Sequence, residues 1–444
     1  MAVFLTTPPV ITLLSRCLLG VLLALSASAT ASAPSDELAP IAIIGGRIID
    51  GRQDKALNNT VILTKDNKIV AIGGPEIIPE NARRIDLGDA TLMPGMIDVH
   101  THPLMHGDDY QSTHLETSSA YKTLKALKST QALLQAGWTS LRVMGDSDVF
   151  YGFRDLRRVY DEGLFLGPRI SGAGHYLSIT GGGGDANFLS PEQQVRPDGL
   201  IVDGPEEVRK AIRREVKYGS DWIKLLVTGA YLSVGDNPRN VHFSPEELRV
   251  AMEEARRLNV PVAAHAHATE GINQAIVAGA RSIEHGTFLD SESIRLMKKH
   301  GTFLVPTIYI GDYYKDESQA LRAQDKNDYY SEHERPKFLK QIGKAHKAGV
   351  KIAVGLDLGG LQYKPSYSAR ELATLIEAGL SPMESIQAAT RVGAELLGWD
   401  DRLGTLAPGM LADIIAVSGN PLEDISELER VNFVMLNGTV VKQP

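Results

Sequence analysis

The stretch Val260–Gly286, VPVAAHAHATEGINQAIVAGARSIEHG, contains the structural unit on which the fold of this 444-residue chain depends. It begins with a short apolar segment, VPVAAHAH, and ends with a second one, RSIEHG. Between them lies TEGINQAIVAGA, which has the pattern of an amphipathic helix. A strand, a helix and another strand in succession favour two parallel strands that are joined by a crossover helix.

The same alternation continues over about Leu92 to Asp401. Helical stretches separate the apolar segments; in SPEELRVAMEEARRLN, for example, Ser244 is the N-cap and Glu247 completes a capping box. Eight successive units of strand and helix predict an α/β fold, a parallel (β/α)₈ TIM barrel, over residues 92–402. The predicted strands are LMPGMIDVHTH, TSLRVM, RISGAGH, DWIKLLV, VPVAAHAH, RSIEHG, TFLVPTI and KIAVGLD.

The two ends of the chain have a different pattern. Residues 39–91 and 403–444 alternate apolar and polar residues between turn signals, which is typical of antiparallel strands. VNFVMLNGTVVK, for instance, predicts a hairpin that turns at Asn437-Gly438, a pair typical of type I′ turns. We therefore expect both ends to combine in one small β-sandwich domain beside the barrel.

Residues 1–31 have the layout of a secretory signal peptide, because Arg16 precedes the apolar run CLLGVLLALSASA and small residues follow it. The run is too short for an ordinary transmembrane helix. We expect cleavage after Ala31, no stable membrane span afterwards, and a periplasmic or secreted protein; a retained membrane anchor is the alternative. Cys17, the only cysteine, lies in this segment, so the mature chain is expected to have no disulfide and no cysteine metal ligand.

The composition is typical of a globular protein, with 43% hydrophobic and 23% charged residues. The formal net charge of -8 leaves no basic footprint for nucleic acid or for an anionic membrane surface. A small molecule is therefore the expected partner.

Histidine and aspartate side chains stand at the ends of several predicted strands, where a barrel of this type has its active site. DVHTH and AAHAHA each carry two histidines two residues apart, and this spacing turns both imidazoles of a pair to the same face. Each signal alone is also typical of polar packing. Together they predict one pocket, and imidazole with carboxylate suits Zn²⁺ or a similar divalent ion. The residues are His100, His102, His265, His267, His285 and Asp357.

The predicted strand DWIKLLV has a lysine, Lys224, at its centre. Alternation along the strand places Lys224 on the same face as Trp222 and Leu226, so its ammonium group would be buried. A buried ammonium must find a partner or lose its charge. From the residues alone, Lys224 either extends to solvent or pairs with an acid such as Asp221.

These motifs resemble the amidohydrolase superfamily. The resemblance rests on PGMIDVHTH, the strand lysine, the histidines of the fifth and sixth strands and the final aspartate, and it extends to the tail LGTLAPGMLADIIAV. GPRISGAG, TGGGGD and AGARSIEHGT are most similar to the imidazolonepropionase-like branch. That branch includes Xaa-Pro dipeptidases, carboxypeptidase-like hydrolases of N-acyl amino acids and ochratoxin-degrading amidohydrolases.

The resemblance implies a site with two divalent metal ions, with Zn²⁺ as the expected metal, and a carbamate that forms when Lys224 reacts with CO₂. This modification removes a cation that burial disfavours, and two dications stabilise the new anion. The family places its ligand at the first histidine of a pair such as His265 and His267, which leaves His267 a supporting role. The implied ligands are His100, His102 and Asp357 for the first ion, His265 and His285 for the second, and Lys224 as the bridge.

The activity that the resemblance implies is cleavage of the amide bond to a C-terminal amino acid, in Xaa-Pro dipeptides, N-acyl amino acids or ochratoxin A-like amides. Metal-activated hydroxide would attack the carbonyl, and Asp357 would pass the water's proton to the leaving amine. One alternative is a mononuclear cyclic-amide hydrolase or deaminase of the imidazolonepropionase type, which does not need Lys224. A non-catalytic scaffold is another alternative, but such proteins typically lose metal ligands.

Three residues are candidates for substrate contacts. Tyr231, in the loop after the fourth strand, would donate a hydrogen bond to a carbonyl or carboxylate oxygen, with simple packing as the alternative. Arg142 would bind a substrate carboxylate, with an internal salt bridge as the alternative. Relatives often have histidine where this chain has Gly183, and aspartate where it has Val143. His175 is the candidate to replace the missing histidine in polarising the carbonyl.

The polar, tyrosine-containing stretch Gly311–Phe338 is predicted to be a helical insert that covers the barrel mouth or forms an oligomer contact. The resemblance implies a homo-oligomer, with an octamer as one candidate.

Overall fold

The structure is a computed structural model that describes residues 39–107, 109–316, 330–359 and 364–444. The predicted signal peptide and residues 317–329 of the predicted insert lie outside these ranges. In chain order the strands are β1 Ile41–Ile48, β2 Leu57–Lys65, β3 Lys68–Gly73, β4 Arg83–Asp86, β5 Thr91–Pro94, β6 Met96–Thr101, β7 Trp138–Met144, β8 Arg169–Ala173, β9 Tyr176–Ser178, β10 Leu200–Ile201, β11 Ile223–Leu226, β12 Val262–Ala266, β13 Ser282–His285, β14 Phe303–Val305, β15 Ile414–Val417, β16 Phe433–Leu436 and β17 Thr439–Lys442.

Helices lie between most of the parallel strands, and α5 begins with the predicted capping box of Ser244 and Glu247. No helix in the described ranges is both long and apolar enough to cross a membrane. The α-helices are α1 Tyr110–Glu116, α2 Ser119–Gln135, α3 Gly152–Asp161, α4 Pro205–Lys217, α5 Pro245–Arg257, α6 Thr269–Ala278, α7 Ser291–His300, α8 Tyr309–Asp316, α9 Arg335–Lys347, α10 Arg370–Glu377, α11 Pro382–Ala388 and α12 Arg391–Leu397. Short 3₁₀ helices lie at Pro75–Ile77, Pro365–Ala369 and Ile425–Arg430, and a π-helical turn at Tyr330–Glu334.

Strands from both ends of the chain share one eight-stranded sheet, in the order β17-β16-β15-β5-β1-β2-β3 with β4 paired to β1. The antiparallel pair of β15 and β5 connects the C-terminal strands to the N-terminal ones. Asn437 and Gly438, at the predicted turn between β16 and β17, both have the positive φ that a type I′ turn requires. Residues 39–444 form a single compact unit, so a separate β-sandwich domain from residues 39–91 and 403–444, beside a barrel at 92–402, stays a prediction.

The middle of the chain forms an α/β domain of the TIM-barrel type from two parallel sheets, β6-β7-β8 and β10-β9-β11-β12-β13-β14. The predicted strand LMPGMIDVHTH is in fact two strands, because β5 pairs in the eight-stranded sheet and β6 begins the parallel part. Gly95 separates them at a point where an added Cβ would lie 2.2 Å from the Thr139 hydroxyl oxygen. Only glycine fits so close to the neighbouring strand.

The eighth predicted strand, KIAVGLD, does not form a regular strand. A single parallel bridge joins Ile352 to Leu304 of β14, and the backbone N–H of Asp357 donates to the carbonyl of His100 in β6 at 2.8 Å. This segment therefore connects the two parallel sheets without continuous strand pairing, and the sheets are not closed into a regular eight-stranded barrel over the described residues.

A buried carboxylate takes the place of some of the missing strand pairing. Asp98, on β6, accepts hydrogen bonds at Oδ1 from the backbone N–H groups of His100 and Leu356, at 2.9 and 3.1 Å. The Asp98 side chain thus holds Leu356, the residue before Asp357, against β6. It brings the end of the first predicted barrel strand and the end of the eighth together.

Candidate active site

The first cluster of the pocket consists of His100 and His102, at the end of β6, and Asp357. The Nε2 atoms of the two imidazoles lie 3.3 and 3.1 Å from Oδ1 of Asp357. Both histidines are buried, and all three residues line one pocket. The two-residue spacing on β6 and the turn at Asp357 therefore bring together the three side chains that the family resemblance implies for one metal ion.

The second cluster consists of His265 and His267, at the end of β12, and His285, at the end of β13. The ring centroids of His265 and His285 are 4.5 Å apart, and His267 stacks on His285 at 4.9 Å. One candidate ligand atom from each of the three rings lies within 4.8 Å of the others. His100 connects the two clusters, since its ring is 5.1 Å from that of His285.

Hydrogen bonds to the protein define which ring nitrogen each ligand presents. Nδ1 of His100 lies 2.7 Å from Oε2 of Glu284, and Nδ1 of His102 contacts the carbonyl oxygen of Gly145. An ionised carboxylate and a carbonyl only accept hydrogen bonds, so each Nδ1 carries the proton. The lone pair is then on Nε2, the nitrogen that faces Asp357.

Hydrogen bonds from the protein also hold the rings of the second cluster. Nε2 of His265 lies 3.2 Å from the carbonyl oxygen of Gly229, which leaves the lone pair of this ring on Nδ1. Nδ1 of His285 pairs with the hydroxyl of Thr307 at 2.7 Å. These contacts fix the rings before any ligand binds.

Three residues of the pocket wall have left-handed backbone conformations that are rare outside glycine. The φ angles of His285, Thr307 and Asp357 are 70°, 47° and 55°. Such conformations persist only where surrounding contacts enforce them, and they concentrate at functional sites. They turn these side chains into the pocket at points where a regular strand would have continued.

Lys224 is at the centre of β11, beside β12, with only 1% of its surface exposed. Its Nζ lies 3.3 Å from Nε2 of His100. Burial lowers the pKa of Lys224 to about 8, although the charges of Glu284 and Asp357 oppose this shift. Lys224 does not extend to solvent, which excludes the first alternative, and Asp221, the acid named for the second, pairs instead with Arg157.

The remaining ionisable groups have the protonation states that metal binding requires. Burial, together with neighbouring imidazoles, holds the pKa values of His265 and His285 well below the ordinary value, so both rings are neutral at pH 7. Burial acts to raise the pKa of Asp357, but its interactions with His100, His102 and His285 outweigh this effect, and the pKa lies well below its usual range. His265 and His285 therefore present neutral imidazoles to the pocket, and Asp357 presents a carboxylate.

Arg142 is not among the described residues that line the pocket. Its side chain is fully buried on β7, where Nη2 lies 2.9 Å from Oε1 of Glu284 and the guanidinium stacks on Trp222 at 4.4 Å. Of the two roles left open for Arg142, the structure shows the internal salt bridge. An arginine in mid-strand faces the barrel interior, whereas a substrate ligand is expected at the strand end.

Glu284 is the residue that the sequence analysis missed. It contacts both Arg142 and His100, and its side chain is fully buried. Burial acts to raise the pKa of Glu284, but Arg142 and His100 lower it to about 2, so the group is an anion. The sequence did contain a signal for Glu284. An acid inside the apolar segment RSIEHG would be buried and would need a partner, as would the lysine inside DWIKLLV.

His175 is also not among the described pocket-lining residues. Its Nδ1 lies 2.8 Å from Oε1 of Glu215, and its ring meets Tyr151 edge to face at 4.5 Å. The histidine is thus engaged in a buried pair outside the pocket. It is not placed to replace the histidine that relatives have at the position of Gly183.

Tyr231 does line the pocket, and its ring meets that of His267 at 4.9 Å. Its hydroxyl donates to Glu334, which also accepts from Arg239 at 2.5 Å. Gly183 lies in the pocket wall as well, where an added Cβ would be 3.0 Å from Oδ2 of Asp236. Tyrosine rings form much of the remaining wall, namely those of Tyr110, Tyr176, Tyr231, Tyr313, Tyr314 and Tyr330.

The donor set fits divalent metal ions. Imidazole nitrogens with a defined lone pair, one ionised carboxylate and a buried lysine converge in a water-accessible pocket, and the rings are already held by hydrogen bonds. Both expected ligand groups appear, and His267 lies within the second one.

Comparison with known proteins agrees with this chemistry. Residues 91–441 match the amidohydrolase family. Ochratoxinase of Aspergillus niger is 33% identical over 442 residues, covering 93% of this chain and 88% of that protein. Its crystal structure has a TM-score of 0.79 and 31% identity, covering 92% of this chain and 97% of that chain.

Two further proteins resemble the chain over most of its length. Imidazolonepropionase of Hahella chejuensis is 30% identical over 360 residues, covering 74% of this chain and 79% of that protein. The crystal structure of a Xaa-Pro dipeptidase with bound methionine in the active site has a TM-score of 0.83 and 35% identity, covering 91% of this chain and 100% of that chain. The chain therefore belongs to the amidohydrolase family, which confirms the predicted resemblance, and it is a hydrolase that acts on C–N bonds.

The salt bridge between Arg142 and Glu284 generates a prediction about stability. Replacing Arg142 with Met leaves the buried carboxylate of Glu284 without its guanidinium partner, and we expect the free energy of unfolding to fall by about 3–5 kcal/mol. Denaturant unfolding measures this, with Arg249→Met as the control because the Arg249–Glu253 pair is exposed and contributes little. A stable Arg142→Met protein with only a raised KM would show instead that Arg142 binds substrate.

Proposed function

We propose that this protein is a binuclear, metal-dependent amidohydrolase that cleaves the amide bond to a C-terminal amino acid. The observation that carries the proposal is the pairing of two ligand clusters in one pocket, with Lys224 buried against His100 between β9 and β12. A single metal site would not require a lysine at this position.

The ligands follow the two clusters. His100, His102 and Asp357 would hold one ion, and His265 and His285 the other. Divalent metal ions, with Zn²⁺ as the expected metal, supply the Lewis acidity that acidifies water and polarises a carbonyl group. The neutral state of the His265 and His285 imidazoles supports this assignment, because only the unprotonated ring can bind a metal.

Lys224 would bind both ions as a carbamate. The lone pair of the neutral Nζ forms a bond to the carbon of CO₂, one C–O π bond becomes a carboxylate, and the nitrogen releases a proton to water. Burial favours this reaction because it favours the neutral amine over the ammonium ion. The product has two oxygen atoms, which matches the requirement for one side chain to reach two ions.

Asp357 would act as general base and then as general acid. Its Oδ1 faces His100 and His102, whereas Oδ2 lies 3.8 Å from Nδ1 of His285. Oδ2 is therefore the atom that would take a proton from the attacking water and return it to the leaving nitrogen. The low pKa of Asp357 keeps the carboxylate ionised, as a base must be.

The relatives support the substrate class. A solved relative is a Xaa-Pro dipeptidase that holds methionine in its active site, and another relative is an ochratoxinase. Both reactions release a C-terminal amino acid from an amide. The tyrosine-rich wall provides apolar faces for an aromatic or prolyl side chain. The Tyr231 hydroxyl would have to exchange Glu334 for a substrate carbonyl or carboxylate in order to donate to it.

A second candidate is a cyclic-amide hydrolase of the imidazolonepropionase type. The similarity to imidazolonepropionase of Hahella chejuensis favours it. This second candidate would need one metal ion and no modified lysine, so the two candidate functions differ in metal content as well as in substrate.

We also propose that residues 1–31 are removed on export, that the mature enzyme is periplasmic or secreted, and that it assembles as a homo-oligomer. The N-terminal sequence of the protein recovered from the periplasm or the medium tests the first two points, and its molar mass tests the third. An uncleaved N-terminus or a monomer would contradict them.

The proposed activity predicts release of a C-terminal amino acid by the purified mature protein. Xaa-Pro dipeptides, N-acyl amino acids, ochratoxin A and imidazolone propionate form the panel, each with and without prior chelation, and released amino acid is quantified. We expect turnover of the acyclic amides, its loss after chelation and its recovery with Zn²⁺. Turnover of the cyclic substrate alone would favour the second candidate.

Carbamate formation in the metal-free protein predicts a specific pH dependence. At constant dissolved CO₂ the rate follows the fraction of neutral amine, so it should rise about tenfold per pH unit at acidic pH and level off above the Lys224 pKa of about 8. The ¹³C NMR signal after addition of labelled CO₂ measures the rate. Lys224→Met is the control that should lack the signal of the Lys224 carbamate, and a rate that keeps rising to the pKa of free lysine would contradict the burial argument.

A further inference from the structure

We propose that Glu284 is a positioning residue that holds His100 in the tautomer and orientation needed for metal binding. This inference rests on the proposed function, since it concerns the first metal ion of that site. Glu284 is not itself among the implied ligands.

The contact between Glu284 and His100 is short and shielded from water. Oε2 of Glu284 lies 2.7 Å from Nδ1 of His100, and the exposed fractions of the two side chains are 0% and 1%. The opposite nitrogen, Nε2, is the atom that faces Asp357 and Lys224, at 3.3 Å from each. A proton on Nδ1 and a lone pair on Nε2 are therefore imposed by the carboxylate.

Two groups stabilise the ionised form of Glu284 through its other carboxylate oxygen. Oε1 of Glu284 accepts from Arg142 at 2.9 Å and from the hydroxyl of Ser282. Arg142 itself is anchored by the carbonyl oxygen of Val99, one residue before His100. Both oxygens of Glu284 thus have partners, and one of its two anchors is fixed to the same strand as His100.

The backbone conformation of β13 explains how this strand supplies both His285, a proposed metal ligand, and Glu284, which holds His100. Glu284 and His285 are consecutive on β13, and consecutive side chains of a regular strand point to opposite faces. At His285 the chain leaves the strand conformation, with φ of 70°. This turn lets His285 enter the pocket while Glu284 remains directed at Arg142 and His100.

The physical consequence is a stronger and better oriented metal ligand. An anion at Nδ1 increases the electron density at Nε2, and the hydrogen bond prevents the ring from rotating away. Loss of such a partner typically weakens metal binding by about 10- to 100-fold.

The test compares the zinc affinities of Glu284→Gln and Glu215→Gln in the full mature protein, by competition with a chromophoric chelator. Glu215 is the matched control, because it is equally buried and pairs with Nδ1 of His175 at 2.8 Å outside the pocket. We expect Glu284→Gln to weaken the first zinc site by about 10- to 100-fold and Glu215→Gln to leave both sites unchanged. Equal affinities in Glu284→Gln and the parent protein would overturn the inference.

A second measurement does not depend on whether Glu284→Gln folds. Long-range ¹H–¹⁵N spectra of the metal-free parent protein report the tautomer of each histidine, and His100→Gln assigns the relevant signal. We expect the proton on Nδ1 of His100, and a proton on Nε2 would overturn the inference. A parent protein that binds no zinc would instead refute the proposed function, so the two failures are distinguishable.

Discussion

The ion pair between Arg142 and Glu284 is the interaction on which the arrangement of the pocket depends. Both side chains are fully buried, and removal of either would leave an uncompensated charge in the interior. The pair persists because its other hydrogen-bonding positions are filled by Ser282, the Val99 carbonyl and His100. Through His100 it reaches the residues that perform the proposed chemistry, since this ring contacts Lys224 and Asp357. A charge deep in the barrel thus determines the geometry of the groups at its mouth.

Backbone strain provides the second constraint. His285, Thr307 and Asp357 each adopt a left-handed conformation that costs about 1–3 kcal/mol outside glycine. The contacts that enforce these conformations come from other parts of the pocket, such as the hydrogen bond between His285 and Thr307 and the one from Asp357 N–H to the His100 carbonyl. The pocket is therefore organised before metal or substrate binds, which reduces the reorganisation that binding would require.

Much of this site could be predicted from the sequence, because its proposed ligands lie in short motifs at strand ends. His100 and His102 share one strand face by spacing alone, and Lys224 was recognisable as a cation in an apolar strand. The ion pair between Arg142 and Glu284 was not predictable, since the two residues lie on strands 142 positions apart whose register the sequence does not give. The sequence therefore left open whether Arg142 binds a substrate carboxylate or forms an internal salt bridge. The eighth predicted strand, KIAVGLD, is not a regular strand, because the Asp98 side chain replaces part of its backbone pairing. The hydrophobic periodicity of the sequence does not reveal such a contact.

The most direct test of a binuclear site bridged by Lys224 is a crystal structure of the mature protein grown with Zn²⁺ and bicarbonate, with anomalous data collected at the zinc edge. We expect two anomalous peaks, one beside His100, His102 and Asp357 and one beside His265 and His285. Electron density for a carbamate should join Nζ of Lys224 to both. A single peak, or two peaks beside an unmodified lysine, would contradict the proposed site.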